Sequence, residues 1–217
     1  SYMFFGATSF NQFIKRWNIS NVTNTSFMFY RATSFNKDIS GWDTGNVTNS
    51  SYMFFKASAF NSDLDWDTSK IQNMDFMFAN TDNFDRIINS WNVSNVTSMI
   101  GMFSGAKKFN QSLSNWNVSN VISMSAMFQD AILFNNNIVG WNVKNVKYMD
   151  LMFAGAFAFN QNISNWNVSK VETTHAMFYD AKSFNQNITN WDITSVLFMD
   201  YMFAGALEFN RDLSGWN

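Results

Sequence analysis

Few residues in this chain combine type and spacing in a way that chemistry could use. Asp63-x-Asp65-x-Asp67 sets three carboxylates at alternate positions, which on a strand point the same way and could converge on Ca²⁺. An EF-hand loop would need Gly at its sixth position and Glu at its twelfth. Those positions hold Thr68 and Met74, and the oxygens available are too few for the ion. A solvated strand face is the better reading, and no metal site is expected. His175 is the single histidine. No acidic or nucleophilic partner is suggested by its spacing, and it replaces Asp150 and Asp200 at one repeat position, so a solvent-facing side chain is expected. No glycine-rich phosphate loop follows a strand. The chain has no cysteine, which removes disulfides, thiolate metal sites and thiol nucleophiles together. No catalytic residue and no cofactor is expected, and the chain does not read as an enzyme.

Two polar patterns could serve binding. The pairs Ser112 and Ser114, Asn162 and Ser164, and Asn187 and Thr189 would line the outer face of a strand, where short hydroxyls and amides could meet glycans or peptides. The same pattern suits a wet, solubilising face. Asn-x-Ser/Thr sequons at Asn18, Asn21, Asn92 and Asn117 arise from a recurring turn consensus. They matter for glycosylation only on a glycosylating secretory route.

All of these candidates sit on a repeat. Tryptophan recurs at 17, 42, 66, 91, 116, 141, 166, 191 and 216, every 25 residues except for one step of 24. Met-Phe recurs in step from Met3-Phe4 to Met202-Phe203, and a second phenylalanine from Phe10 to Phe209. Counting from each tryptophan, apolar residues fall at +5, +8, +11, +12 and +15, for example Val96, Met99, Met102, Phe103 and Ala106. Those steps of three and four predict a short helix. Ser or Thr at +3 suits its N-cap, and Ser169 to Glu172 has capping-box spacing. Asn or Asp at +1 suits an Asx turn. The segment before each tryptophan, Phe-Asn-Gln-x-Ile-Ser-x, predicts a short strand.

Neither element can bury its apolar face alone, whereas stacked copies can. The expected fold is therefore a right-handed repeat solenoid of about nine coils, with one short parallel strand and one short helical segment per coil. It forms a single domain over 1–217, expected to be a slice of a longer array because both ends fall inside a repeat. Asn11 and its equivalents should stack as a column that Asp85 interrupts. Leu64 lies two residues before Trp66 where other repeats have three, so this coil should lack an extra bulge or corner residue.

Composition narrows the function. With 47% apolar residues the chain can build a core, and its formal net charge of −2 with no basic run offers nothing to nucleic acid. No apolar run is long enough to insert into a membrane. The aromatics at +10 and +13 are the strongest interaction candidates: Tyr2, Phe5, Phe27, Tyr30, Tyr52, Phe55 and Phe76. On a helix they would form an outward stripe. On a 3₁₀ or irregular segment they would turn back between coils.

The residues Phe109-Asn110-Gln111, Trp116-Asn117-Val118-Ser119-Asn120-Val121 and Met124-x-x-Met127-Phe128-x-x-Ala131 closely resemble the repeat of BspA-like leucine-rich-repeat surface proteins, common among mycoplasma surface lipoproteins. That resemblance implies a leucine-rich-repeat-like coil, an extracellular position on the cell surface, and adhesion. The expected partner is a protein or glycan on another surface. The alternative is a structural subunit of a filament, appendage or coat, assembled from other copies of itself through its ends or its aromatic face.

Overall fold

The computed structural model describes residues 1–216. We number the coils from the tryptophans: coil 1 is 1–16, coil 2 is 17–41, coil 3 is 42–65, coil 4 is 66–90, coil 5 is 91–115, coil 6 is 116–140, coil 7 is 141–165, coil 8 is 166–190 and coil 9 is 191–215. Among the described residues there is no helix and no extended strand, which overturns the leucine-rich-repeat-like strand-plus-helix coil. Each coil is a succession of β-turns, and parallel pairing is confined to one bridge residue at +7, from Asn24↔Asn49 to Thr173↔Phe198.

The helix fails for a backbone reason. Positions +10 and +14 are left-handed in coil after coil, as in Phe27 (φ 59°) and Arg31 (φ 58°) or Gly101 (φ 56°) and Gly105 (φ 68°). A left-handed residue every fourth position ends any right-handed helix, at roughly 1–2 kcal/mol for each side-chain-bearing residue. The return is a new direction for the amides. The N–H groups of +8, +10, +12 and +14 donate to the following coil, as Thr25 to Asn49 O, Phe27 to Ser51 O, Phe29 to Met53 O and Arg31 to Phe55 O (2.7–3.1 Å). The alternate N–H groups close i→i−3 turns, as Met28 to Thr25 O and Tyr30 to Phe27 O. Overlapping turns of this kind produce the same three-and-four apolar spacing as a helix.

The segment before each tryptophan is joined by side chains instead of a strand ladder. The N–H of Asn36 donates to Asn11 Oδ1 (3.0 Å), and the same bond climbs coil by coil to Asn210 on Asn185 Oδ1 (3.1 Å). Asp85 does not interrupt this column. Its N–H donates to Asn61 Oδ1 and its own Oδ1 accepts from Asn110 N–H, both at 3.0 Å. The column needs only an acceptor there, and a carboxylate supplies one. The expected Asx turn is present, with Asn92 Oδ1 accepting from Ser94 N–H and Asn167 Oδ1 from Ser169 N–H. The Ser169–Glu172 capping box is absent, and Glu172 instead meets Lys147 of the coil below at 2.7 Å. In most coils the extra residue before tryptophan closes a β-turn, such as Trp116 N–H to Leu113 O. Coil 3 makes no turn at Leu64–Trp66.

The core consists of columns of identical side chains. Within coil 5, Phe103 and Phe109 lie face to face at 4.0 Å, and Phe103 stacks on Phe128 of the next coil at 5.7 Å. Both are fully buried, with Met99, Met102, Ala106 and Leu113 around them. From Trp42 on, each tryptophan donates its indole N–H to a carbonyl 27 or 28 residues earlier, as Trp116 Nε1 to Ile88 O and Trp141 Nε1 to Leu113 O (both 3.0 Å). Thr81 takes the small-residue position at +15 and directs its hydroxyl to Phe54 O of the preceding coil at 2.9 Å.

Trp116→Phe keeps most of the buried area and removes the indole bond to Ile88 O, which still accepts from Trp91 N–H, so a loss of about 0.5–1.5 kcal/mol is expected in denaturant unfolding. Asp85→Asn preserves the acceptor and should change stability by less than about 0.5 kcal/mol. A large loss in that second variant would contradict the column described above.

Candidate functional site

The +10 and +13 residues emerge on one lateral face as two ladders of rings. In the +10 ladder Tyr2 stacks on Phe27 (4.8 Å), Phe27 on Tyr52 (4.7 Å) and Tyr52 on Phe76 (4.8 Å). In the +13 ladder Phe5 stacks on Tyr30 (4.6 Å) and Tyr30 on Phe55 (4.8 Å). These spacings match the separation of paired backbones, because each ring rises from a backbone position tied to its equivalent in the next coil. Tyr2 and Phe5 are exposed and the other five rings are half-buried, each covered mainly by its neighbours. The irregular segment therefore neither buries the rings between coils nor frees them. It stacks them edge-outward. Burial pushes the Tyr52 phenol pKa up, and the nearby Asp75 charge adds to the shift.

The ladder ends at Gly101, which has no side chain to continue it. The Phe76 ring fills the space its Cβ would take, 2.3 Å from the ring. Beyond it the same positions carry mainly small groups such as Ser104, Ala126 and Ala154, with larger side chains at Leu151, Tyr179 and Tyr201. In coils 7–9 they leave a shallow apolar depression of about 390 Å³ lined by Leu151, His175, Ala176, Tyr179 and Tyr201. The ladder's flank carries cations, with Arg31 5.5 Å from the Tyr30 ring centre and Lys56 5.4 Å from that of Phe55.

The other sequence candidates resolve as follows. Asp63 pairs with Arg86 at 3.6 Å, and Asp67 accepts from Ser69, whose hydroxyl and N–H hold its pKa down. Among the described residues no group of three ligating side chains is arranged to hold a metal ion. Asp38, which shares a surface depression with Asp63 and Arg86, pairs with Lys15 at 2.5 Å. That contact, helped by Ser40, lowers its pKa to about 2. His175 does have an acidic partner, since its Nδ1 lies 2.9 Å from Asp200 Oδ2. The two residues stand 25 apart, which in this fold means adjacent coils. The Oδ1 atoms of the exposed residues Asn162 and Asn187 accept from the N–H groups of Ser164 and Thr189 and so close Asx turns. Of the sequon residues, Asn18 and Asn117 are held in the same way by Ser20 and Ser119.

One electrostatic feature escaped the sequence reading. Asp130 is an exposed residue, yet its carboxyl lies close against the Gly155 backbone of the next coil, where a Cβ would be 2.2 Å from Oδ1. Desolvation there pushes its pKa up, and the like charge of Asp180 adds to the shift.

Three matches to one family model, over residues 1–65, 64–162 and 135–217, span the chain, which belongs to the family described as "Mycoplasma protein of unknown function, DUF285". No curated protein and no solved structure gives a significant match.

A raised native pKa means that ionising Asp130 costs the folded state more than the unfolded one. Its contribution is most favourable at acidic pH and is lost as pH rises through the native pKa. Asp130→Asn, which also suits a left-handed position, should raise the thermal midpoint at pH 7 by a few degrees at most. The difference from the parent should shrink at acidic pH, as the parent carboxyl takes up its proton. A variant no more stable at neutral pH would contradict this.

Proposed function

We propose that this is a non-enzymatic contact protein of the cell surface, recognising a protein or glycan on another surface through the lateral face at +10 and +13. One observation carries the reading. Seven aromatic rings, Tyr2, Phe5, Phe27, Tyr30, Tyr52, Phe55 and Phe76, stack in two columns whose edges meet solvent. Contiguous aromatic surface is what interfaces are built on. Rings held by stacking are also pre-ordered, so a partner meets them with little further loss of side-chain freedom. Membership of a Mycoplasma repeat family, and the likeness of the repeat to BspA-like surface proteins, support an extracellular position.

A structural role, with copies of the chain joined side by side in a filament, appendage or coat, is the second reading. It is favoured by the unequal charge on the two halves of the same face, with Arg31 and Lys56 at one end and Asp130 and Asp180 at the other.

Replacing Phe5, Tyr30 and Phe55 together by Ser removes the +13 ladder and leaves the Phe103-type core intact. Binding of the labelled chain to fixed epithelial cells should weaken by about tenfold or more. Circular dichroism should show an unchanged fold with a modest loss of stability. Unchanged cell binding and unchanged self-association, with stability alone reduced, would overturn both readings.

A further inference from the structure

The lateral face is polarised, and its two halves complement each other. From +9 to +14, coils 1–3 read Ser-Tyr-Met-Phe-Phe-Gly, Ser-Phe-Met-Phe-Tyr-Arg and Ser-Tyr-Met-Phe-Phe-Lys. Coils 6–9 read Ser-Ala-Met-Phe-Gln-Asp, Asp-Leu-Met-Phe-Ala-Gly, His-Ala-Met-Phe-Tyr-Asp and Asp-Tyr-Met-Phe-Ala-Gly. The first half is a ridge of rings bordered by cations. The second half carries smaller groups apart from Tyr179 and Tyr201, its +14 border carries Asp130 and Asp180 with Lys107 near Asp130, and the depression at Leu151, Ala176 and Tyr179 lies within it. Arg31 and Lys56 enter no ion pair among the described residues, and neither do Asp130 and Asp180.

We propose that the partner of this face is a second copy of the chain, packed antiparallel side by side about a two-fold axis at coil 5. The proposal rests on the second reading above, in which this face joins copies of the chain side by side. An isologous interface requires a self-complementary patch, and one with a ridge at one end and a recess at the other meets that condition only when the copies run in opposite directions. With the axis across the rods at coil 5, coil 2 faces coil 8, coil 3 faces coil 7 and coil 4 faces coil 6. The +14 column of one copy then meets the +14 column of the other. Arg31 stands opposite Asp180, and Lys56 stands opposite Gly155, between Asp130 and Asp180. On the other border Ser51 meets Asp150 and Asp75 meets Ser125, so no carboxylate faces another. The rings of coils 2 and 3 enter the recess around Leu151 and Ala176. Tyr30 meets Tyr179 in this register, whereas a parallel pairing would set every ring of coils 1–4 against its own copy and leave these charges unmatched.

Sedimentation velocity on the 217-residue chain provides the test. A concentration-dependent dimer with Kd below about 100 μM, weakened by salt, is expected. Arg31→Glu with Lys56→Glu makes both halves acidic, and Asp130→Lys with Asp180→Lys makes both basic. Each double variant alone should dimerise about tenfold more weakly or worse, and an equimolar mixture of the two should recover dimer. Circular dichroism of each variant checks folding, and Arg31→Gln with Lys56→Gln serves as a milder version if a reversal unfolds the chain. A monomeric parent at that concentration, self-association insensitive to both charge sets, or no recovery on mixing would overturn the antiparallel pair. Binding to epithelial cells that persists in such a monomer leaves the contact-surface reading standing. Loss of neither cell binding nor self-association in the Phe5, Tyr30 and Phe55 variant removes that reading itself.

Discussion

The structure depends on turning backbone hydrogen bonds parallel to the stack. In an α-helix the amides beyond the first turn are satisfied within their own segment, and the segment needs no copy of itself. Here the amides at +8, +10, +12 and +14 have their acceptors only in the next coil. An isolated coil would leave them open and its Phe pair half-exposed. The left-handed residues at +10 and +14 set this direction, and their conformational cost is offset only when another coil is in place. Stability is therefore a property of neighbouring coils, as repeat arrays generally show.

Axial registry also governs the surface. Because each coil is bonded to the next at matching positions, any side chain pointing outward joins a column of its equivalents. A change of residue type along a column then becomes a change of surface along the rod. The continuous stack of rings in the +10 and +13 columns stops at Gly101, whose missing Cβ accommodates the Phe76 ring, and beyond it rings recur only singly at Tyr179 and Tyr201. The +14 column passes from Arg31 and Lys56 to Asp130 and Asp180. The face is thus graded in shape and charge on a uniform backbone, and its chemistry resides in arrangement more than in any reactive group.

Much of this was legible in the residues. Identical large side chains at one period leave little alternative to stacking, so the tryptophan, phenylalanine and asparagine columns, the Asx turns and the deviation at coil 3 could be read directly. The helix was misread because overlapping β-turns share its apolar spacing. The distinguishing signal was present at +14, where Gly6, Asn80, Gly105, Asp130, Gly155, Asp180 and Gly205 are the residue types that tolerate a left-handed backbone. The His175–Asp200 pair was missed because 25 residues is a long way along the chain and one step up the stack. Asp85 was read as an interruption because amide and carboxylate differ in charge, although the column uses only the oxygen they share.

By itself, then, the sequence determined the period, the identity of every core column and the absence of thiol chemistry, because those follow from which side chains recur and how often. Only the tertiary structure decided that the recurring segments are turns and not helices, that their amides bond along the stack, and that rings and charges gather on one graded face. The physical reason is that backbone direction depends on where each N–H finds its acceptor, and in this chain the acceptor lies in the neighbouring coil.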